Sequence, residues 1–300
     1  MGTYVVTGSA SGMGRQAAEK LRAAGHTVIG IDIQNAEIRA DLSTDGGRRA
    51  AAEAALEAGG GTLDGAILAA GLGPVPGRQR LIAQVNYFGV VDLLTALRPA
   101  LACAGQAKVV VVGSNSTTTT PLVPRRAIRA LLAGDVDKAL RAVRIFGNRS
   151  AAMIYAASKI AASRWVRRNA VTAEWAGAGI RLNALAPGAI MTPLLAEQLQ
   201  NPGEAKAIRA FPVPVGGYGD AGQLADWMVF MLSNSADFLC GSIIFVDGGS
   251  DAYFRADSWP VAVPVRGLPR YLVKFLSHKP SKSSQGSSPK ALAEGIFADS

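Results

Sequence analysis

Six short apolar runs recur along the first 250 residues, with longer Ala/Leu/Arg-rich stretches between them. The runs are Val5-Val6, Thr27–Ile31, Gly65–Ala69, Val109–Val112, Ile180–Leu185 and Ser242–Val246. The stretches between them span 14–24, 46–58, 79–103, 151–176 and 221–233. Strands that are apolar throughout must be covered on both faces, and helices between strands supply that cover. The pattern therefore predicts an α/β fold: a doubly wound, Rossmann-like parallel sheet in one domain over 1–250.

Composition narrows the alternatives. With 49% hydrophobic and 18% charged residues, 300 residues form a folded core, and a disordered chain is excluded. The apolar runs fall far short of the ~18 residues of a membrane span. Two cysteines, Cys103 and Cys240, make no disulfide framework, and no leader precedes the first strand. The expected compartment is the reducing cytoplasm. His26 and His278 lack ligand spacing, so no metal site is expected. The net charge of +9 is concentrated in two segments: 121–150 carries seven Lys/Arg against two Asp, and 251–300 seven against four acids. Neither comes with a stacking or base-reading motif, which argues against nucleic-acid binding.

The first strand runs into Thr7-Gly8-Ser9-Ala10-Ser11-Gly12-Met13-Gly14, and a helix follows. Glycines there allow a sharp turn and close approach to a pyrophosphate, and the helix N-terminus offers free N–H groups. Eighteen residues on, Asp32 ends the second strand, where a carboxylate accepts the adenosine ribose hydroxyls and repels a 2′-phosphate. The expected cofactor is NAD, with NADP disfavoured; Arg15 is the competing signal.

Tyr155 and Lys159 lie four apart in a helical stretch and share a face. A nearby ammonium favours the phenolate and brings proton transfer within reach. Ser114 follows the Val109–Val112 strand at the ligand-binding edge, and Asn86 lies early in the 79–103 stretch.

Together these motifs resemble the short-chain dehydrogenase/reductase family over about residues 3–250. The Thr7–Gly14 turn, Asp41-Leu42, the partial match Leu68-Ala69-Ala70-Gly71 and the closing Val246-Asp247-Gly248-Gly249 carry the resemblance. So do the Asn86/Ser114/Tyr155/Lys159 set and Pro187-Gly188 with Thr192. It implies catalytic roles for Asn86, Ser114, Tyr155 and Lys159. Tyr155 would exchange a proton with the substrate oxygen, Lys159 would lower the Tyr155 pKa and bind the nicotinamide ribose, Ser114 would hold the substrate oxygen, and Asn86 a relay water. It also implies cofactor binding by Gly8, Ser11, Gly12, Met13, Gly14, Asp32, Ile33, Asp41, Leu42, Ala70, Gly71, Tyr155, Lys159, Pro187, Gly188, Ile190 and Thr192. The expected activity is hydride transfer between NAD(H) and a hydrophobic secondary alcohol or ketone, such as a hydroxysteroid or a xenobiotic carbonyl. Leu72, Pro74, Val75, Met153, Ile190, Met191, Leu194 and Leu195 are the expected pocket wall. The alternative is a silent dinucleotide-binding regulator or scaffold. A homodimer or homotetramer is implied.

Two segments stand outside this pattern. Between Ser114 and the tyrosine stretch, 121–150 reads as two short helices broken at Gly134-Asp135, entered by an extended Thr117–Thr120. It serves as a substrate lid, a subunit contact, or both. The 251–300 extension contains a basic, apolar stretch at 270–279 and a Ser/Lys-rich linker. That stretch is expected to dock on its own body or a partner subunit, with an anionic membrane as the alternative.

Overall fold

The computed structural model describes residues 1–200, 202–259 and 265–277. Its first compact unit, Met1–Arg255, is built on β1 (Thr3–Thr7), β2 (Thr27–Asp32), β3 (Ile38–Arg39), β4 (Gly65–Leu68), β5 (Lys108–Val112), β6 (Arg181–Pro187), β7 (Ile190–Met191), β8 (Gly219–Asp220) and β9 (Ile243–Val246). The helices of this unit are α1 (Gly12–Ala23), α2 (Asp45–Ala58), α3 (Gln79–Ala83), α4 (Gly89–Cys103), α5 (Ser116–Thr119), α6 (Arg125–Leu132), α7 (Val136–Val143), α8 (Ser150–Asn169), α9 (Pro193–Gln200), α10 (Pro202–Ala210), α11 (Ala221–Leu232) and α12 (Ser250–Arg255). The second unit contains α13 (Leu268–Ser277).

Seven strands form one parallel sheet in the order β3-β2-β1-β4-β5-β6-β9. This is the doubly wound, Rossmann-like arrangement expected from the apolar runs. The chain winds outward in one direction through β2 and β3 and in the other through β4, β5, β6 and β9, while β7 and β8 pair separately. The carboxyl ends of β1 and β4 therefore flank a crevice, where such sheets take ligands. Val109, Val110 and Val111 of β5 are buried on both faces of the sheet. One face packs on α2, α4 and the end of α8, through Ala51, Leu93, Leu97 and Val166. The other packs on α1 and α11, through Ala17, Leu21, Leu224 and Met228.

Four local expectations change. The 79–103 stretch is not one helix: a π-helical turn at Gln84–Phe88 separates α3 from α4. The 151–176 helix stops at Asn169, and beyond it Trp175 folds back against Trp165, ring centroids 5.4 Å apart. The brief edge strand β3 was not anticipated. The threonine run is helical rather than extended: the Thr117 hydroxyl donates to the Ser114 carbonyl at 2.8 Å, and those of Thr118 and Thr119 to Asn115 at 3.1 and 3.0 Å. Hydroxyls that bond back three or four residues outweigh the extended preference of threonine.

The insert consists of α6 and α7, turned at Gly134 (φ +79), with the Asp135 carboxylate accepting from Lys138 N at 2.8 Å. Its apolar face, Ala127, Ile128, Leu131, Ala139 and Val143, is buried with Ile82 of α3 and Ile154 of α8. Among the described residues no helix is long and apolar enough to cross a membrane.

Candidate functional site

Two adjoining cavities occupy the crevice, of about 450 Å³ and about 200 Å³. Met13, Ala69, Gly71, Leu72 and Thr192 line both.

The larger cavity is shaped by the glycine-rich turn. Gly8 has φ +70, and a Cβ there would lie 2.8 Å from Ala70 N. A Cβ on Gly14 would lie 2.3 Å from the Gly8 carbonyl oxygen. Only hydrogen at both positions lets α1 begin hard against the end of β1. Ser11 makes no side-chain cap and the first turn of α1 has no acid, so its N–H groups and positive dipole end face the cavity. Asp32 and Asp41 line the same cavity. The Asp32 carboxylate accepts from Ala10 N at 3.0 Å and Ile33 N at 2.7 Å, which ties the turn to the end of β2. The lining residues include no Lys or Arg. Arg15 instead pairs with Glu19 at 3.6 Å on the exposed face of α1.

Leu42, in the same wall, is held from behind by the buried Arg48. The Arg48 guanidinium donates to the Leu42 carbonyl at 3.1 Å, to Gln84 Oε1 at 3.2 Å and to Asp92 at 2.8 Å, and also pairs with Asp45. One side chain thus fastens this wall to α4 and to the π turn that carries Asn86.

The smaller cavity brings together Ser114, Tyr155 and Lys159. One turn of α8 separates Tyr155 from Lys159, and Ser114, just past the end of β5, lines the same cavity. Lys159 Nζ donates to the Val112 carbonyl at 2.9 Å. Burial raises the Tyr155 pKa, and the Ser114 hydrogen bond opposes the rise. That opposing influence was expected from Lys159, whose ammonium is held on β5 instead. Burial also lowers the Lys159 pKa from 10.5 to about 8.

Asn86 lines neither cavity. Its amide is taken up by Leu72, accepting from Leu72 N at 2.8 Å and donating to the Leu72 carbonyl at 2.9 Å. Gly71 lies beside it: a Cβ there would be 3.2 Å from Asn86 Oδ1 and 3.5 Å from Lys159 Nζ. Thr7 Oγ1 accepts from Ala70 N at 3.0 Å and anchors the same loop to β1. Pro187 ends β6, and Gly188 passes so close to Asp247 that a Cβ would lie 2.7 Å from its Cα. Ile190 and Thr192 complete that wall.

Every cofactor residue expected from the sequence lines one of the two cavities. Of the expected apolar wall, Leu72, Pro74, Ile190 and Leu195 line the smaller cavity. Met153 does not; it is buried on the other side of α8, among the insert's side chains. Val75 and Met191 line neither cavity, and the side chain of Leu194 and all of His278 lie outside the described residues. No residue of 121–149 lines either cavity, and the insert's apolar face packs on α3 and α8. Leu81 and Val85, which wall the larger cavity, were missed. Their only sequence signal is a four-residue apolar spacing, which core residues share.

Known proteins resemble this chain over most of its length. A family model described as enoyl-(acyl carrier protein) reductase matches residues 138–251. A 3-alpha-hydroxysteroid dehydrogenase/carbonyl reductase from Comamonas testosteroni is 38% identical over 255 residues, 85% of this chain and 98% of that protein. A cis-4-hydroxycyclohexanecarboxylate dehydrogenase from Sinomonas cyclohexanicum is 30% identical over 260 residues, 83% of this chain and 96% of the other. The crystal structure of a 3-alpha-hydroxysteroid dehydrogenase from Pseudomonas sp. B-0831, complexed with NADH, superposes with a TM-score of 0.79 at 43% identity. That match covers 85% of this chain and 99% of that structure.

Proposed function

Because the chain belongs to the short-chain dehydrogenase/reductase family, we propose that it transfers hydride between NAD(H) and a hydrophobic secondary alcohol or ketone of the hydroxysteroid or alicyclic type. The observation that carries this reading is the grouping of Ser114, Tyr155 and Lys159 around one cavity that adjoins the glycine-rich one.

The larger cavity fits a dinucleotide. Its glycine cradle, its uncapped helix N-terminus and its carboxylate lining match pyrophosphate and ribose in turn. NAD is preferred to NADP, because Asp32 and Asp41 line this cavity and Arg15 is engaged elsewhere. When bound, the nicotinamide supplies or accepts the hydride.

The chain's own residues handle the proton. Ser114 and Tyr155 hold the substrate oxygen. In reduction Tyr155 gives its hydroxyl proton to that oxygen as negative charge develops; in oxidation it takes the proton back. A raised pKa keeps Tyr155 protonated near neutrality, which suits reduction. The Lys159 ammonium, fixed by Val112, binds the nicotinamide ribose. Leu72, Pro74, Ile190 and Leu195 present apolar surface to the substrate and exclude water.

The chain works as a homo-oligomer in the cytoplasm. The insert covers the outer face of α8, while Trp227, Phe230 and Phe238 on and beyond α11 are exposed. A dimer through α11 therefore fits better than a tetramer that also uses α8. Unpaired Cys103 and Cys240 suit a reducing compartment.

The reading is tested by measuring NADH binding and NADH oxidation with ketones from acetone to a 3-ketosteroid. It expects turnover that improves with the apolar bulk of the ketone. Tight NADH binding with no turnover of any ketone would leave the silent binder.

A further inference from the structure

The second unit carries a helix with an apolar face and a basic face. Along α13, Arg270, Lys274 and Ser277 recur at spacings of four and three and share one side. Leu268, Tyr271, Leu272, Phe275 and Leu276 take the other, and the Tyr271 and Phe275 rings stack at 6.3 Å. Every residue of α13 is exposed, with Phe275 at 69% and Leu276 at 81%. Soluble proteins seldom leave so many large apolar side chains together in water.

Charge identifies the occupant of that face. From Ser258 to Ala293 there are six Lys/Arg, at 266, 270, 274, 279, 282 and 290, and no carboxylate. The first 255 residues are basic as well, with 25 Lys/Arg against 19 Asp/Glu, so a second copy of this chain offers no complementary charge. An apolar face flanked by cations without acids matches acyl chains beneath anionic headgroups. A segment of 10 residues is too short to cross a bilayer and long enough to lie along its surface.

We propose that α13 is an interfacial anchor that lays its Leu272/Phe275 face into an anionic lipid membrane, with Arg266, Arg270 and Lys274 at the headgroups.

The test is vesicle flotation with the full chain, comparing phosphatidylcholine vesicles with equal-part phosphatidylcholine/phosphatidylglycerol vesicles at low and high salt. The full chain is expected to float with the anionic vesicles at low salt and to remain below with the neutral ones. Arg270→Gln and Lys274→Gln should each weaken partitioning about fivefold. The pair Leu272→Glu and Phe275→Glu should abolish flotation while melting behaviour and NADH affinity stay unchanged. No flotation, equal flotation on both vesicle types, or glutamate variants that float like the wild type would each overturn the proposal. It would also be overturned if α13 instead controlled oligomer mass in light scattering, or bound single-stranded RNA without floating on lipid.

Discussion

Asn86 and Leu72 are joined twice: the Asn86 amide accepts from Leu72 N at 2.8 Å and donates to the Leu72 carbonyl at 2.9 Å. Leu72 lines both cavities, and Asn86, 1% exposed, lines neither. The side chain thus acts as a clamp on the wall shared by the two cavities, and the π turn that carries it is anchored in turn by Arg48 through Gln84.

Asn86→Ala strips both partners from the Leu72 backbone. Leaving such buried groups unpaired costs about 1–3 kcal/mol. The variant should melt earlier and show raised KM for both NADH and ketone, with kcat affected less. Loss confined to kcat would put Asn86 at the reacting atoms instead.

Lys159 makes stability depend on pH. Its folded pKa, about 8, lies below the ordinary 10.5, so the unfolded chain binds the extra proton between these values. Wild-type stability should therefore rise relative to Lys159→Met as pH climbs from about 8 to 10.5, by up to about 3 kcal/mol. Below pH 8 the buried ammonium imposes its full penalty. Denaturant titrations of the cofactor-free proteins across this window measure the difference. A constant difference contradicts the burial argument.

In the proposed function Asp32 is the residue that sets the cofactor preference. A 2′-phosphate beside Asp32 and Asp41, with no cation in the cavity lining, meets like charge. Such juxtaposition costs several kcal/mol, so NAD should exceed NADP in kcat/KM by about a hundredfold or more. Asp32→Ala should narrow that gap by at least tenfold. Equal use of both cofactors by the wild type would show that Arg15 leaves Glu19 for the phosphate.

The parallel sheet and the glycine turn were legible because strands such as Val109–Val112 are apolar throughout and because Gly8 and Gly14 sit where a Cβ collides. The grouping of Ser114, Tyr155 and Lys159 was legible because one turn of helix separates the last two and the edge of β5 presents the first. Side-chain direction was not. Met153 lies two residues before Tyr155, yet it points into the insert, because the two positions face different sides of α8. Nor was the local competition in Thr117–Thr119, where hydroxyl-to-carbonyl bonds favour a helical turn. The burial of Arg48 against Asp92 was not legible either, since nothing local marks a contact across 44 positions.

The insert separates two roles. Leu131, fully buried between the insert and its neighbours, contributes packing. Leu131→Ala should lower stability by about 2–5 kcal/mol. Packing on α3 and α8, away from the cavity, predicts equal KM shifts for small and bulky ketones. A rise in KM for bulky ketones alone would instead show the insert acting as a substrate lid.

The most direct measurement is Tyr155→Phe, assayed for both NADH binding and ketone-dependent NADH oxidation. The substitution removes the hydroxyl that shares the cavity with Ser114 and retains the ring. The account predicts NADH affinity within a few-fold of wild type and a loss of kcat of about 10²-fold or more, the typical contribution of a positioned proton donor. A variant that kept a large share of wild-type kcat would contradict the assignment of Tyr155 as the group that moves the proton.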